Sequence, residues 1–270
     1  MPRFYSTLAL AAMLLMTTAL SGGCQSYTAP GGAADMSAFR ADDRLSELER
    51  EQHTDAGIRE ALDRKPLARF PVNLAVARVQ ASGYRSHTAT GYGKGRYSVV
   101  TTRDVEADDA YARIAGLPMI EGVAPVGRLL LPRHLNSDEE LRAAAADLRA
   151  NMLLIYTFDT HIYVGDTDSP IDVLTLGFLP NKKAEVATTA SALLLDTRNG
   201  YVYGLTEASA RTTQRANTWT RRAAVDQSRQ RTEAEAFEKL VDAFADTWQG
   251  VLSQYHPAAT SQQQPPMTSP

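Results

Sequence analysis

The C-terminal third of the chain sets the strongest limit on its fold. Phe237, Leu240, Val241, Phe244, Trp248, Leu252 and Tyr255 recur at three- and four-residue spacing, while Glu233, Glu235, Glu238, Lys239, Asp242 and Asp246 take other positions. That period predicts one long amphipathic helix from about Thr220 to Gln254, its charged side in solvent. An apolar stripe of this length has to be covered, and the residues upstream supply strands to cover it. Met152 to Phe158 (MLLIYTF) is a continuous apolar run, as expected of a strand buried on both faces. Ile171 to Leu179, Val186 to Asp196 and Tyr201 to Ala208 read as three more strands. Asn199-Gly200 is a two-residue hairpin signal between the last pair, because both residues accept positive φ.

The earlier part alternates. A helix capped by Thr54 runs to about Arg64 and stops before Pro66. Asn73 to Gln80 reads as a strand with Leu74 and Val76 inward, and Tyr97 to Thr101 as another. Asp108 to Ala115 is a helix, followed by an apolar stretch from Val123 to Leu131. Ser137 and Glu140 form a capping-box pair opening a helix with Leu141, Ala145 and Leu148 on one face. The expected fold is an α/β or α+β domain: a mixed sheet with an antiparallel hairpin and the long C-terminal helix packed on it.

The N-terminus sets the address. Arg3 is the only charge in the first 23 residues, Leu8 to Leu20 is almost unbroken apolar sequence, and Ser21, Gly22 and Gly23 lead into Cys24, the only cysteine. A short apolar core behind a positive residue and before small residues is an export signal, too short to span a bilayer as a helix. Leu20-Ser21-Gly22-Gly23-Cys24 resembles the lipobox of bacterial lipoproteins, with the leucine one place further from the cysteine than usual. The resemblance implies lipid on Cys24, which becomes the first mature residue. Gln25 stands where the inner-membrane retention signal would have aspartate, which favours the outer membrane, facing the periplasm, in a host with two membranes. The expected organisation is a signal peptide over residues 1–23 and a lipidated N-terminus and flexible tether over 24–53. A single domain follows over 54–256, and a disordered Pro- and Gln-rich tail over 257–270. Removing residues 1–23 takes away one basic residue and no acidic one, moving the formal balance from −3 to −4. That charge is no footprint for nucleic acid.

Two blocks of the domain carry a second resemblance. Ala146 to Thr160 (ADLRANMLLIYTFDT) and Ser191 to Tyr203 (SALLLDTRNGYVY) are similar to a helix-into-strand block and a hairpin in certain envelope lipoproteins. That group includes the curli-secretion lipoprotein and the outer-membrane activators of penicillin-binding proteins. It implies an α/β domain with a mixed sheet, a closing C-terminal helix and no catalytic site. Pore-forming members also carry long amphipathic hairpins. The hairpin here is short, with Asn181, Lys182, Lys183 and Glu185 near its turn, which speaks against a pore.

Candidate chemistry is sparse. Gly91, Gly93 and Gly95 precede a strand, whereas a dinucleotide fingerprint opens a helix, so they read as a flexible loop. Asp159, His161, Asp166, Asp168 and Asp172 are metal-ligand types, but a calcium loop begun at Asp166 has Ile171 where glycine belongs and Gly177 where glutamate belongs. No nucleophile elbow exists, and the histidines are scattered. The expectation is therefore no enzyme, no metal and no cofactor. Arg211, Arg215, Arg221, Arg222, Arg229 and Arg231 form the one basic concentration. They read as a solvated helix face, with Arg221 and Arg222 as residues that could contact an anionic surface.

These residues point to a membrane-anchored envelope lipoprotein that binds another envelope protein or itself. An oligomeric secretion or pore-assembly component and a hydrolase of envelope polymers are the alternatives. Cys24→Ala is expected to abolish fatty-acid labelling and release the protein from membranes; labelling that persists in the variant would refute the assignment.

Overall fold

The computed structural model describes residues 32–35, 55–166, 182–216 and 221–256. Its centre is a six-stranded mixed sheet. Helix α1 (Asp55–Asp63) precedes β1 (Val72–Ala81), a short β2 (Lys94–Gly95) and β3 (Tyr97–Val100). Then come α2 (Asp108–Ala115), β4 (Ile120–Pro125), a 3₁₀ turn (Arg128–Leu130), β5 (His134–Leu135) and α3 (Glu139–Asp147). Three 15-residue strands, β6 (Met152–Asp166), β7 (Lys182–Asp196) and β8 (Val202–Ala216), lead to α4 (Arg221–Tyr255). This is the expected α/β class.

β1 organises the sheet. On one side it pairs parallel with β6, from Leu74↔Met152 to Arg78↔Tyr156. On the other, β4 runs parallel along Val72 to Val76 and β3 antiparallel along Arg78 to Ala81, so two short strands share one edge. β6, β7 and β8 continue antiparallel, in register as far as Asp166↔Lys182 and Lys182↔Ala216. The end of the sheet holding those residues is termed distal; the β7–β8 turn lies at the proximal end.

Both faces are covered near the middle. Leu74, Val76, Met152, Leu154, Tyr156 and Phe158 pack with α2 and α4. Ala75, Ala77, Leu153 and Ile155 pack with Leu141, Ala144 and Ala145 of α3. This double burial is why β1 carries apolar residues on both parities: small alanines fill one side and larger apolar groups the other. The proximal half of α4 supplies Phe237, Leu240, Val241, Phe244, Trp248 and Leu252 to the first core, as the helical period predicts. Trp248 is fully buried, sits 5.8 Å from the ring of Phe70, and donates its indole N–H to the Pro118 carbonyl at 2.8 Å.

Several local expectations need correction. β7 and β8 run past the predicted strands at their distal ends, where the Glu185–Arg211 pair at 3.2 Å and the Thr189–Ser209 pair at 3.1 Å support polar continuation. The β7–β8 connection is longer than two residues, and of the expected pair only Gly200 adopts positive φ, +68°. The Asp196 carboxylate takes the Arg198 amide and the Asp196 carbonyl takes the Gly200 amide, building a wider turn. Glu140 does reach back to the Ser137 amide at 3.0 Å, but the Ser137 hydroxyl accepts from Glu139, and Asp138 is the residue before the helix. Ile171 to Leu179, Thr54 and residues 257–270 lie outside the described residues.

Trp248→Ala is expected to destabilise the domain by about 3–5 kcal/mol, from lost burial and the cavity left behind. Urea unfolding checks this through a lower midpoint at unchanged slope.

Candidate functional site

The described residues with the densest polar chemistry lie where the N-terminal half of α4 meets the distal part of the sheet. Arg78 stands on β1 in line with the inward Leu74 and Val76. Its Nη1 donates to Asp104 at 2.8 Å and Glu106 at 3.2 Å, both from the β3–α2 connection. Its Nη2 donates to the Tyr84 hydroxyl at 3.1 Å and lies 3.5 Å from Glu233 of α4. Its guanidinium also sits 4.7 Å from the Phe158 ring centre, a favourable cation–π placement.

Arg229 is the second cation, and it is completely buried. One turn along α4, Glu233 accepts from its Nη1 at 2.6 Å, and Asp226 accepts from its Nε at 3.0 Å. Glu233 Oε1 takes the Thr160 hydroxyl of β6 at 3.0 Å, while Thr88 bonds Asp104 and receives Arg229 Nη2 at 3.3 Å. Tyr156 donates to Glu106 at 2.9 Å and pairs with the Tyr111 hydroxyl at 3.1 Å. Two guanidinium groups are thus bridged by Glu233 and surrounded by four carboxylates.

Burial penalises every charge here, and neighbours decide which charges survive. Burial alone would lower the Arg78 pKa, but Glu106, Tyr84, Glu233 and Asp104 outweigh it and hold the guanidinium charged. Arg229 is held the same way, chiefly by Glu233. Burial raises the Glu233 carboxyl above the ordinary range, although Arg229 and Arg78 pull against that shift. The hydroxyls of Tyr84 and Tyr156 are pushed up by burial and stay protonated. An open cleft of about 390 Å³ runs alongside, between Arg103–Ala107 and α4 residues Gln227, Gln230 and Arg231.

The expectation that Arg229 lies on a solvated helix face and that Glu233 points to solvent is therefore wrong. Both arginines are kept charged by buried carboxylates, and Glu233 reaches Arg78 of β1 as well as Arg229 of its own helix, a contact that a helical-period argument cannot register. One signal was available: an arginine at the inward parity of a strand, NLAVARV, needs buried acidic partners. Cys24 lies outside the described residues. Arg221 and Arg222 open α4 at the distal end, about one turn before Asp226 of the buried network, and their side chains are not described. Asp159 and His161 stand 3.3 Å apart on exposed β6 positions, and Asp168 and Asp172 lie outside the described residues. Among the described residues no group of three His, Cys, Asp or Glu side chains could hold a metal ion. The glycine loop is a packing device: a Cβ on Gly93 (φ +96°) would fall 2.3 Å from Leu135, whose strand pairs with Lys94–Gly95.

No protein-family model matches the chain, and no curated protein matches it. Solved structures give partial likenesses. A presumed lipoprotein from Caulobacter crescentus CB15 is 22% identical over 37% of this chain and 68% of its own, with a TM-score of 0.25. A hypothetical protein from Chlamydia trachomatis is 10% identical over 65% of this chain and 96% of its own, with a TM-score of 0.29. Similarity at this level assigns neither a family nor a function. No helix among the described residues is long and apolar enough to cross a membrane.

Arg78→Met should cost about 3–5 kcal/mol of stability, because it leaves buried carboxylates without their shared cation. Glu233 carries the pH signature. Its folded pKa is raised, so its contribution is fully present below the unfolded value and is lost as pH rises through the folded one. Denaturation across that window is expected to show a fall in stability with rising pH that Glu233→Gln removes.

Proposed function

We propose that this chain is a lipid-anchored envelope protein whose α/β domain is a non-enzymatic module for binding another envelope protein or a second copy of itself. The observation that carries the reading is the apolar run Leu8 to Leu20 closing on Ser21-Gly22-Gly23-Cys24, the chain's sole thiol. In a host with two membranes, Gln25 directs it to the outer membrane, facing the periplasm. The buried network favours a non-enzymatic role. Its carboxylates are engaged by Arg78, Arg229, Thr160 and Tyr156, which commits them to holding α4 on the sheet.

Binding has a physical basis in β8. It is the last strand of the sheet, 15 residues long, and no strand among the described residues pairs with its outer side. Such an edge is a template for another strand. Lys239 of α4 reaches the Ser209 carbonyl at 3.3 Å, so that carbonyl faces the open edge. Leu205, on the same strand, is 70% exposed. The edge also favours the second reading, an oligomeric secretion or pore-assembly component, in which copies would meet edge to edge.

In an antiparallel strand the amide and carbonyl of one residue point to the same side. Ser209→Pro should therefore remove an outward N–H while sparing the β7 ladder, and proline is tolerated at an edge. The full chain in detergent is expected to run above monomer mass, or to crosslink to an envelope partner, and Ser209→Pro should abolish that species with folding intact. A wild-type chain that stays monomeric and yields no adduct would overturn the binding reading.

A further inference from the structure

The outer edge of β8 is complementary to itself. Leu205, Glu207, Ser209, Arg211 and Thr213 alternate along the strand and are exposed, while Ala208 and Ala210 between them pack toward α4 in the first core. Two of the five are charged, with opposite sign, and they stand two residues either side of Ser209. The Ser209 carbonyl faces the open edge, where Lys239 reaches it at 3.3 Å. Pairing with β7 is regular from Gly204 onward. Backbone direction alternates with side-chain parity, so the amides and carbonyls of Glu207 and Arg211 point out of the sheet as well.

An antiparallel strand added here has to set outward-pointing residues against outward-pointing residues. For a second β8, centring on Glu207 or on Arg211 sets like charges directly opposite, which destabilises a ladder. Centring on Ala208 sets Glu207 against Ser209 and Arg211 against Leu205. Centring on Ala210 sets Glu207 against Thr213 and Arg211 against Ser209. Centring on Ser209 sets Glu207 against Arg211 of the second copy and Arg211 against its Glu207, with Leu205 against Thr213 at both ends. Of these five registers, that one alone gives every charge an opposite partner.

Both charged residues are already oriented along the strand row. Glu207 Oε1 accepts from the Ser191 hydroxyl at 2.8 Å, and Arg211 Nε lies 3.2 Å from Glu185, both partners being on β7. A carboxylate has two oxygens and a guanidinium five N–H donors, so each can keep its β7 partner and take another across the edge. Side chains held in place before contact lose less entropy on pairing. The one local obstacle is Lys239, which has to yield the Ser209 carbonyl to the opposing Ser209 amide. Glu235, 2.8 Å away on the same helix, keeps its ammonium paired when it does.

We propose that the occupant of the β8 edge is a second copy of this chain, added antiparallel about a two-fold axis at Ser209, so that two six-stranded sheets become one continuous sheet. This rests on the reading of β8 as the binding edge. A strand that pairs with itself consumes the edge and closes at two chains, whereas a ring needs two different surfaces on each copy.

The test uses the full chain in detergent, with association read by sedimentation equilibrium and folding by the urea midpoint. The wild type is expected to be a dimer and nothing larger. Glu207→Arg sets arginine against arginine at both pairs, and Arg211→Glu sets glutamate against glutamate. Each alone should weaken the dimer about tenfold. Mixed one to one, the two variants regain opposite charges at both pairs, and the mixture should dimerise as tightly as the wild type. Glu207→Gln and Arg211→Gln, each expected to weaken the dimer a few-fold, replace any reversal that lowers the urea midpoint. A wild-type dimer untouched by these variants, a mixture no tighter than its components at unchanged midpoints, or assembly beyond two chains would overturn the two-fold at Ser209. A monomeric wild type that crosslinks to another envelope protein, in an adduct that Ser209→Pro abolishes, would overturn self-pairing and leave the binding edge standing. A monomer without any adduct would remove the edge reading and this proposal with it.

Discussion

The bridge from Arg78 through Glu233 to Arg229 determines how this domain is held together. α4 is attached to the sheet in two different ways along its length. Its proximal half buries Phe237, Phe244 and Trp248, a non-directional contact that tolerates sliding by a few tenths of an ångström. Its distal half buries Ser228, Arg229, Thr232 and Glu233 instead. Charges taken out of water return their desolvation cost only in good geometry. That requirement places Glu233 within reach of Arg229, Arg78 and Thr160 together and fixes the register of helix against strands. The same guanidinium holds the β3–α2 connection through Asp104 and Glu106. One arginine on a central strand thereby ties together a loop, a hydroxyl-bearing strand and a helix.

Much of the architecture could be read from residues. The run Met152 to Phe158 has no polar residue on either parity until Thr157, and such a strand has to be covered twice. The spacing of Phe237, Leu240, Val241 and Phe244 fixes a helix whatever lies beneath it. What escaped is a different class of contact. Arg229 and Glu233 are four apart on α4, which in isolation is the signature of an exposed helix pair. Their burial depends on Arg78, more than 140 residues earlier, and no local pattern carries that distance. The distal halves of β7 and β8 escaped for a related reason. Thr188, Thr189 and Ser209 are held by hydroxyl pairs, Thr160–Thr188 on one face and Thr189–Ser209 on the other, that no hydropathy pattern registers. Ala34, expected within the flexible tether over 24–53, instead lies buried against the sheet with its amide on the Thr157 hydroxyl at 3.0 Å, because Ala- and Gly-rich sequence reads as linker unless a partner surface is known.

The segment at Ala34 and the buried network lie on opposite faces of the sheet at nearly the same level, one at Thr157 on β6 and the other at Tyr156 and Thr160. Between them they brace the long strands where they leave the doubly covered core. Beyond that level the strands are supported by one another and by the first turns of α4.

The same bracing fixes the outer edge of the sheet, which no described strand covers and which runs the full length of β8 from the proximal turn to the distal end. Lys239 guards that strand: its ammonium occupies the Ser209 carbonyl, and any strand adding there would have to displace it. The guard is held in turn by Glu235 at 2.8 Å, one turn earlier on the helix. Access to the edge is thus set by α4, and the position of α4 is set by the buried arginines.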